Sequence, residues 1–252
     1  MTITGEKLDD LPAVAEIDWT NVRLVYKKMQ DDFWLITSPF GIELDDQTCL
    51  YLAHLIGTID SIDRTLDELP DLKQRVGFSQ SLTDYLSGRT KTIESEFTSP
   101  EVNRRMENLR SAIILQDVQH EFCQTVTRVF AHTEAKRSAT TEQKMISEMR
   151  EEWRLTGRLT VLIMGAKTTA DFEKFFYLCC EMMTAVDMIQ DARDDYRNGQ
   201  ISVPPRISLY LRLMGEFLFP MPKLIWRFPR PLNLFRYTFS FLFHVYGPFR
   251  TD

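Results

Sequence analysis

The chain has 252 residues, 44% hydrophobic and 26% charged, with a formal net charge of −6 at pH 7. That length allows one domain or two around a large core, and the balance is ordinary for a globular protein. Ten glycines and no evenly spaced short β-rich segments argue against an all-β fold, and the acidic balance makes nucleic acid a poor partner.

Residues 1–18 give weak signals and read as a loose arm, with no signal peptide at the start. From about Trp19 to Ile36, Val22, Val25, Tyr26, Met29, Phe33 and Trp34 recur at helical spacing. Ser38-Pro39-Phe40-Gly41 breaks that helix. A second helix is expected over Asp45–Glu68, stopped by Pro70, with Leu52, Leu55, Ile56, Ile59, Ile62 and Leu66 on its buried side. Residues 71–98 read as a connecting stretch with one short helix around Leu82.

Ser99-Pro100-Glu101 is a strong helix start, with a capping serine and a proline in the first turn. That helix is expected to continue to about Thr133. His120 and His132 lie on it without partners at metal-ligand spacing, so they read as surface or core histidines. Thr140-x-x-Gln143 is a capping box for a helix reaching about Gly165. Thr168-x-x-Asp171 opens the next, over Ala170–Asn198, and Gly199 is its expected left-handed C′ residue. Cys49, Cys123, Cys179 and Cys180 show neither zinc spacing nor a disulfide framework, and read as reduced thiols of a cytoplasmic protein.

The last of these helices carries the chemistry. Asp187, Asp191 and Asp195 are spaced i, i+4, i+8 and form one column on a helix face. Like charges at that spacing cost roughly 0.2–0.5 kcal/mol per pair on a free helix, so the column asks for a cation. Neither Arg193 nor Arg197 stands four residues from a column aspartate. A divalent ion held by carboxylates and substrate phosphate suits the pattern; a solvated acidic face is the bland alternative. Upstream, Asp63 and Asp67 make a second Asp-x-x-x-Asp pair, with Asp60 one turn earlier on the same face.

The sequence here resembles the squalene and phytoene synthase family of isoprenoid enzymes. Its second aspartate-rich motif is similar to Asp187-x-x-x-Asp191-x-x-x-Asp195 followed by Gly199 to Pro204, with departures at Gln200, Ser202 and Val203. Asp63 and Asp67 resemble the first motif, although the family commonly has an arginine where this chain has Asp60. Trp153 to Val161 looks like a family segment in which small residues border the hydrocarbon pocket: Gly157 matches one glycine and Thr160 stands in the place of a second. Close helix packing explains Gly157 equally well.

The resemblance spans roughly Ile36 to Pro204. It implies an all-α, class I isoprenoid synthase-like bundle around an apolar cavity, with the two acidic helices facing each other. It also implies Mg²⁺ held by Asp63, Asp67, Asp187, Asp191 and Asp195 against a prenyl diphosphate such as farnesyl or geranylgeranyl diphosphate. Asp60, Arg64, Arg193 and Arg197 are candidate substrate contacts by position, and Phe33 and Trp34 fall where the family has a flap, or are core aromatics. Head-to-head condensation, cyclisation of one prenyl chain, and a non-catalytic isoprenoid-binding or membrane-tethering role remain the alternatives.

Residues 205–252 form a segment apart from the helical domain expected over 19–204. They hold 12 of the 29 aromatic residues and six of the 11 prolines. From Arg206 to Arg250 there are seven Lys/Arg and one acid, Glu216, whereas the preceding 204 residues carry 23 basic and 34 acidic side chains. No run reaches the ~20 apolar residues of a spanning helix. Aromatics interleaved with arginine suit peripheral membrane contact through residues 205–250; packing back as last core helices is the alternative.

Overall fold

A computed structural model describes residue 31 and residues 33–69, 71–93 and 99–236. The N-terminal arm and most of the expected first helix lie outside the described residues, as does the chain beyond Arg236. Among the described residues the fold is all-helical and has no strand. After a single turn, α1 (Trp34–Thr37), and a 3₁₀ turn (Ser38–Phe40) come α2 (Asp46–Glu68), α3 (Leu72–Leu86), α4 (Pro100–Leu115) and α5 (Gln119–Arg137). The series ends with α6 (Glu142–Met164), α7 (Ala170–Arg197), α8 (Ile207–Leu218) and α9 (Met221–Arg227).

The chain divides into two compact units, one of Met1–Asp31 with Leu44–Cys123 and the other of Asp32–Glu43 with Gln124–Asp252. In the first unit, α2 begins where its cap dictates: the Asp45 carboxylate accepts the Thr48 N–H at 2.8 Å. Leu52 and Leu55 on α2, Phe78 and Leu82 on α3, and Met106, Leu109 and Ile113 on α4 are fully buried. Polar ties fix α2 on α4, where Arg105 Nη1 donates to Ser61 Oγ at 2.7 Å and Thr58 Oγ1 donates to the Arg105 carbonyl at 3.4 Å.

Two expectations need correction in this region. The helix near Leu82 runs 15 residues, capped by Asp71 onto the Gln74 N–H. Gly77, Ser79 and Ser81 lower its intrinsic propensity, but burial of Phe78, Leu82, Tyr85 and Leu86 overrides that. The single helix expected from Pro100 to Thr133 is two, α4 and α5, separated at Gln116–Val118. Asp117 turns the chain there at φ 55°, a left-handed conformation that aspartate tolerates better than most residues.

In the second unit, α6 and α7 form an antiparallel hairpin joined by a 3₁₀ turn at Gly165–Lys167. Each helix is capped one residue later than the expected threonine, by Thr141 onto Lys144 N–H and by Thr169 onto Phe172 N–H. Gly157 is where the pair closes up: a Cβ there would stand 2.8 Å from Cys180 Sγ, closer than real side chains approach. Met145, Ile146 and Met149 of α6 form one buried cluster with Ala185, Met188 and Ala192 of α7 and Leu209 and Leu213 of α8. Ile201 and Val203, from the segment after α7, join it. The alternative in which the C-terminal segment packs back on the core therefore holds for α8, whose Leu209 and Leu213 are fully buried.

Candidate functional site

The acidic column stands at the C-terminal end of the 28-residue α7. Asp187 and Asp195 are half-buried and Asp191 is exposed. Their position sharpens the electrostatics. A helix C-terminus already carries a partial negative charge of about half an electron, and Asp191, Asp194 and Asp195 add to it within the last two turns. Arg197 Nη1 reaches Asp194 Oδ1 at 3.3 Å, both exposed, and Arg193 is exposed.

The helix stops in a Schellman arrangement. Gly199 takes φ 73°, its N–H donates to the Tyr196 carbonyl at 3.3 Å, and the Gln200 N–H donates to the Asp195 carbonyl at 2.8 Å. Buried Ile201 and Val203 then anchor the chain in the core beneath. The Gly-to-Pro tail thus has a structural task of its own: it ends the acidic helix sharply and ties it down.

Above the column, α7 is closed off by α6. Cys180 fills the bare side of Gly157, with Phe176 also 3.6 Å from the position a Cβ would take. Thr160 Oγ1 leans on the Thr156 carbonyl at 3.5 Å. Burial pushes the Cys180 thiol up to about 12 and the Cys179 thiol well above its usual range. Phe33 is buried edge-on against Phe172 and Phe176, with ring centres 6.4 and 5.7 Å apart, whereas Trp34 is 54% exposed. Phe40, Phe172, Phe175 and Phe228 extend this aromatic cluster, Phe175 and Phe228 lying 4.7 Å apart. Phe33 is thus a core aromatic at the start of α7.

An arginine column lies on the neighbouring helix, and only the fold supplies its place against α7. Arg150, Arg154 and Arg158 repeat i, i+4, i+8 along α6. Arg158 Nη1 donates to Tyr177 Oη at 3.2 Å and stands 3.8 Å from Glu173, and Arg154 Nη2 pairs with Glu151 at 2.8 Å. Arg150 pairs with Glu216 of α8. Because α6 and α7 are antiparallel with Gly157 against Cys180, equal rise per residue brings Arg150 to the level of Asp187. Burial pushes the half-buried Glu181 carboxyl above its usual range, although Arg150 and Arg154 pull the other way.

His132, on α5, has a partner that only tertiary structure supplies. Its Nδ1 lies 2.6 Å from Glu148 Oε2 on α6, and Lys144 pairs with the same carboxylate. Lys144 and His132 hold the Glu148 carboxyl below the usual range. Thr133 Oγ1 donates to Glu152 Oε1 at 2.8 Å, and Lys136 Nζ approaches Glu152 Oε2 at 3.0 Å. This ribbon fastens α5 to α6.

The other acidic residues belong to the first unit. Asp63 and Asp67 are exposed on the last turns of α2. Asp60 is 0% exposed and accepts from Arg64 Nη2 at 2.7 Å. A guanidinium therefore folds back over the turn that Asp60 occupies, on the side of α2 that carries the acids.

Among the described residues no group of three or more His, Cys, Asp or Glu side chains is arranged to hold a metal ion. A closed protein cage is not the pattern. Mg²⁺ rarely uses one: it is bound through one or two carboxylates, with water and phosphate oxygens completing an octahedron. Carboxylates one turn apart, as at Asp187/Asp191 and Asp63/Asp67, fit that open mode. Comparison with protein-family models, with curated proteins and with solved structures finds no match.

Proposed function

We propose that the protein is a magnesium-dependent isoprenoid synthase that ionises an allylic prenyl diphosphate, farnesyl or geranylgeranyl in length, in the manner of squalene and phytoene synthases. The observation that carries this reading is the Asp187, Asp191, Asp195 column, set at the negative end of a long helix that a Schellman turn holds rigid. The all-helical fold and the second acidic pair, Asp63 and Asp67, support it.

In this reading Asp187, Asp191 and Asp195 on α7 are the residues that would hold Mg²⁺, and Asp63 and Asp67 on α2 are a second acidic pair of the same open spacing. When bound, that ion supplies Lewis-acid neutralisation of the charge building on the departing diphosphate. The protein's own part is to bind and orient. Arg193 and Arg197, on the same helix as the column, offer guanidinium donors to diphosphate oxygens. The allylic cation left behind is attacked by a second prenyl chain in a condensation, or by an internal double bond in a cyclisation.

Incubation with farnesyl or geranylgeranyl diphosphate and Mg²⁺ tests the proposal by release of inorganic diphosphate. Products from two chains identify condensation, and products from one chain identify cyclisation. Asp191→Asn should lower turnover by at least about a hundredfold, because it removes one of the carboxylates that would hold the ion. No diphosphate release from either substrate would refute the proposal.

A further inference from the structure

The last described helices expose an apolar face that their own polar residues cannot screen. On α8, Ser208, Arg212 and Glu216 repeat at i, i+4, i+8, and all three are spent on α6. Ser208 Oγ donates to Glu142 Oε1 at 2.5 Å, Arg212 Nε lies 3.1 Å from Glu142 Oε2, and Glu216 pairs with Arg150. Leu209 and Leu213 fill the core beside them. What remains for the outside is Ile207, Leu211, Met214 and Leu218, a stripe at i, i+4, i+7, i+11. Ile207 is 79% and Leu211 69% exposed. The polar column ties the helix to α6 and the buried leucines fill the core, which leaves an apolar stripe on the outside.

The stripe continues past α8. Phe219 is 87% and Trp226 92% exposed, and Leu232 and Phe235 follow on the same exposed stretch. Leu218, Met221, Ile225 and Trp226 border a shallow apolar groove there. Contiguous exposed apolar area of this kind marks an interaction surface rather than ordinary scatter.

Charge selects the partner. Arg206, Lys223, Arg227, Arg230 and Arg236 are exposed among these apolar side chains, and the one acid of the stretch, Glu216, is already paired with Arg150. Exposed rings and leucines interleaved with arginine match a bilayer interface, where the rings sit among headgroups and each cation gains from anionic lipid. The chain then adds five more aromatics and a further arginine between Phe239 and Arg250, the same chemistry continued. No described helix is long and apolar enough to cross a membrane, so the contact lies along the surface.

We propose that the outer face of α8 and α9, with Phe219 and Trp226 as its aromatic anchors, docks the protein on anionic lipid bilayers. The proposal does not depend on the prenyl chemistry, and its test uses no prenyl substrate. The full chain is sedimented with vesicles of phosphatidylcholine alone or with a third of phosphatidylglycerol. Binding to the anionic vesicles is expected, weakened by salt, with Leu211→Ser/Leu218→Ser lowering the partition coefficient at least about tenfold. These side chains are exposed, so circular dichroism and melting of the variant should match the parent.

Quenching by brominated lipid should report Trp226 at headgroup depth and disappear in Trp226→Phe. Equal binding by parent and variant would overturn the proposal. So would a concentration-dependent dimer, in the absence of lipid, that the double variant dissolves; that would assign the face to a second copy of the chain. Removal of residues 237–252 separates the remaining case: if the parent ignores vesicles and only the shortened chain binds them, that segment covers the face, and the proposal fails.

Discussion

Gly157→Ala isolates the contact that sets the α6–α7 spacing. The new Cβ would lie 2.8 Å from Cys180 Sγ, so the hairpin must open or the cysteine must leave its rotamer. Overpacking of this size costs roughly 1–3 kcal/mol. Against it, alanine gains about 0.5–1 kcal/mol over glycine inside a helix. The net loss should be roughly 0–2.5 kcal/mol with a central value of about 1, or about 2–4 °C in melting temperature at that value for a chain of this size.

The second half of the cycle removes the obstacle. In Gly157→Ala/Cys180→Ala the new methyl meets the residue-180 Cβ at 3.5 Å and the Phe176 ring at 3.6 Å, both ordinary contacts. The double variant should therefore be more stable than the sum of the single changes by about 1 kcal/mol or more. Urea denaturation followed by circular dichroism measures all four proteins. A Gly157→Ala variant that melts at or above the parent, or single changes that simply add, would refute the reasoning.

Further outcomes follow from the same contacts. The Glu148 carboxyl is held below its usual range by Lys144 and His132, so its stabilisation is present above the unfolded value near 4.5 and is lost as pH falls through the folded one. Glu148→Gln should flatten the acid limb of the melting-temperature profile between about pH 5 and 3, and an unchanged limb would rule the pairing out. Glu181 is shifted the other way by burial. Its charged form is disfavoured in the fold, so Glu181→Gln should raise the melting temperature at pH 7 and lose that advantage as pH falls below the unfolded value. A lower melting temperature at pH 7 would show that Arg150 and Arg154 outweigh the burial. Burial also pushes the Cys123 thiol up to about 11 and the Cys180 thiol to about 12; both should resist alkylation at pH 8 in the folded protein and label promptly in urea. Rapid labelling without denaturant would mean that these helices are not closed as described.

Local signals placed much of the architecture. They located α2, α6 and α7 to within about a residue or two: Thr140 and Thr168 stand one position before the actual caps Thr141 and Thr169, and Gly199 acts through backbone groups a few positions away. The acidic column was legible for the same reason, since i, i+4 spacing is geometry within one helix. The break at Asp117 was not, as an aspartate can sit in a helix or in a left-handed turn and only packing on both sides decides. Nor could the pairing of His132 with Glu148 be read, or the arginine column of α6 against α7. Both depend on which faces meet across a turn. The outward apolar stripe of α8 was hidden likewise: Ser208, Arg212 and Glu216 look like the whole solvent face until α6 supplies Glu142 and Arg150.

The way α7 ends has a practical corollary. Asp195 anchors its neighbours through the main-chain oxygen, which receives Gln200 N–H, while the carboxylate takes no part in that bond. The support is thus carried by main-chain atoms, which the identity of the side chain does not change. An Asp195→Asn exchange, isosteric at the half-buried side chain, therefore leaves that main-chain bond in place.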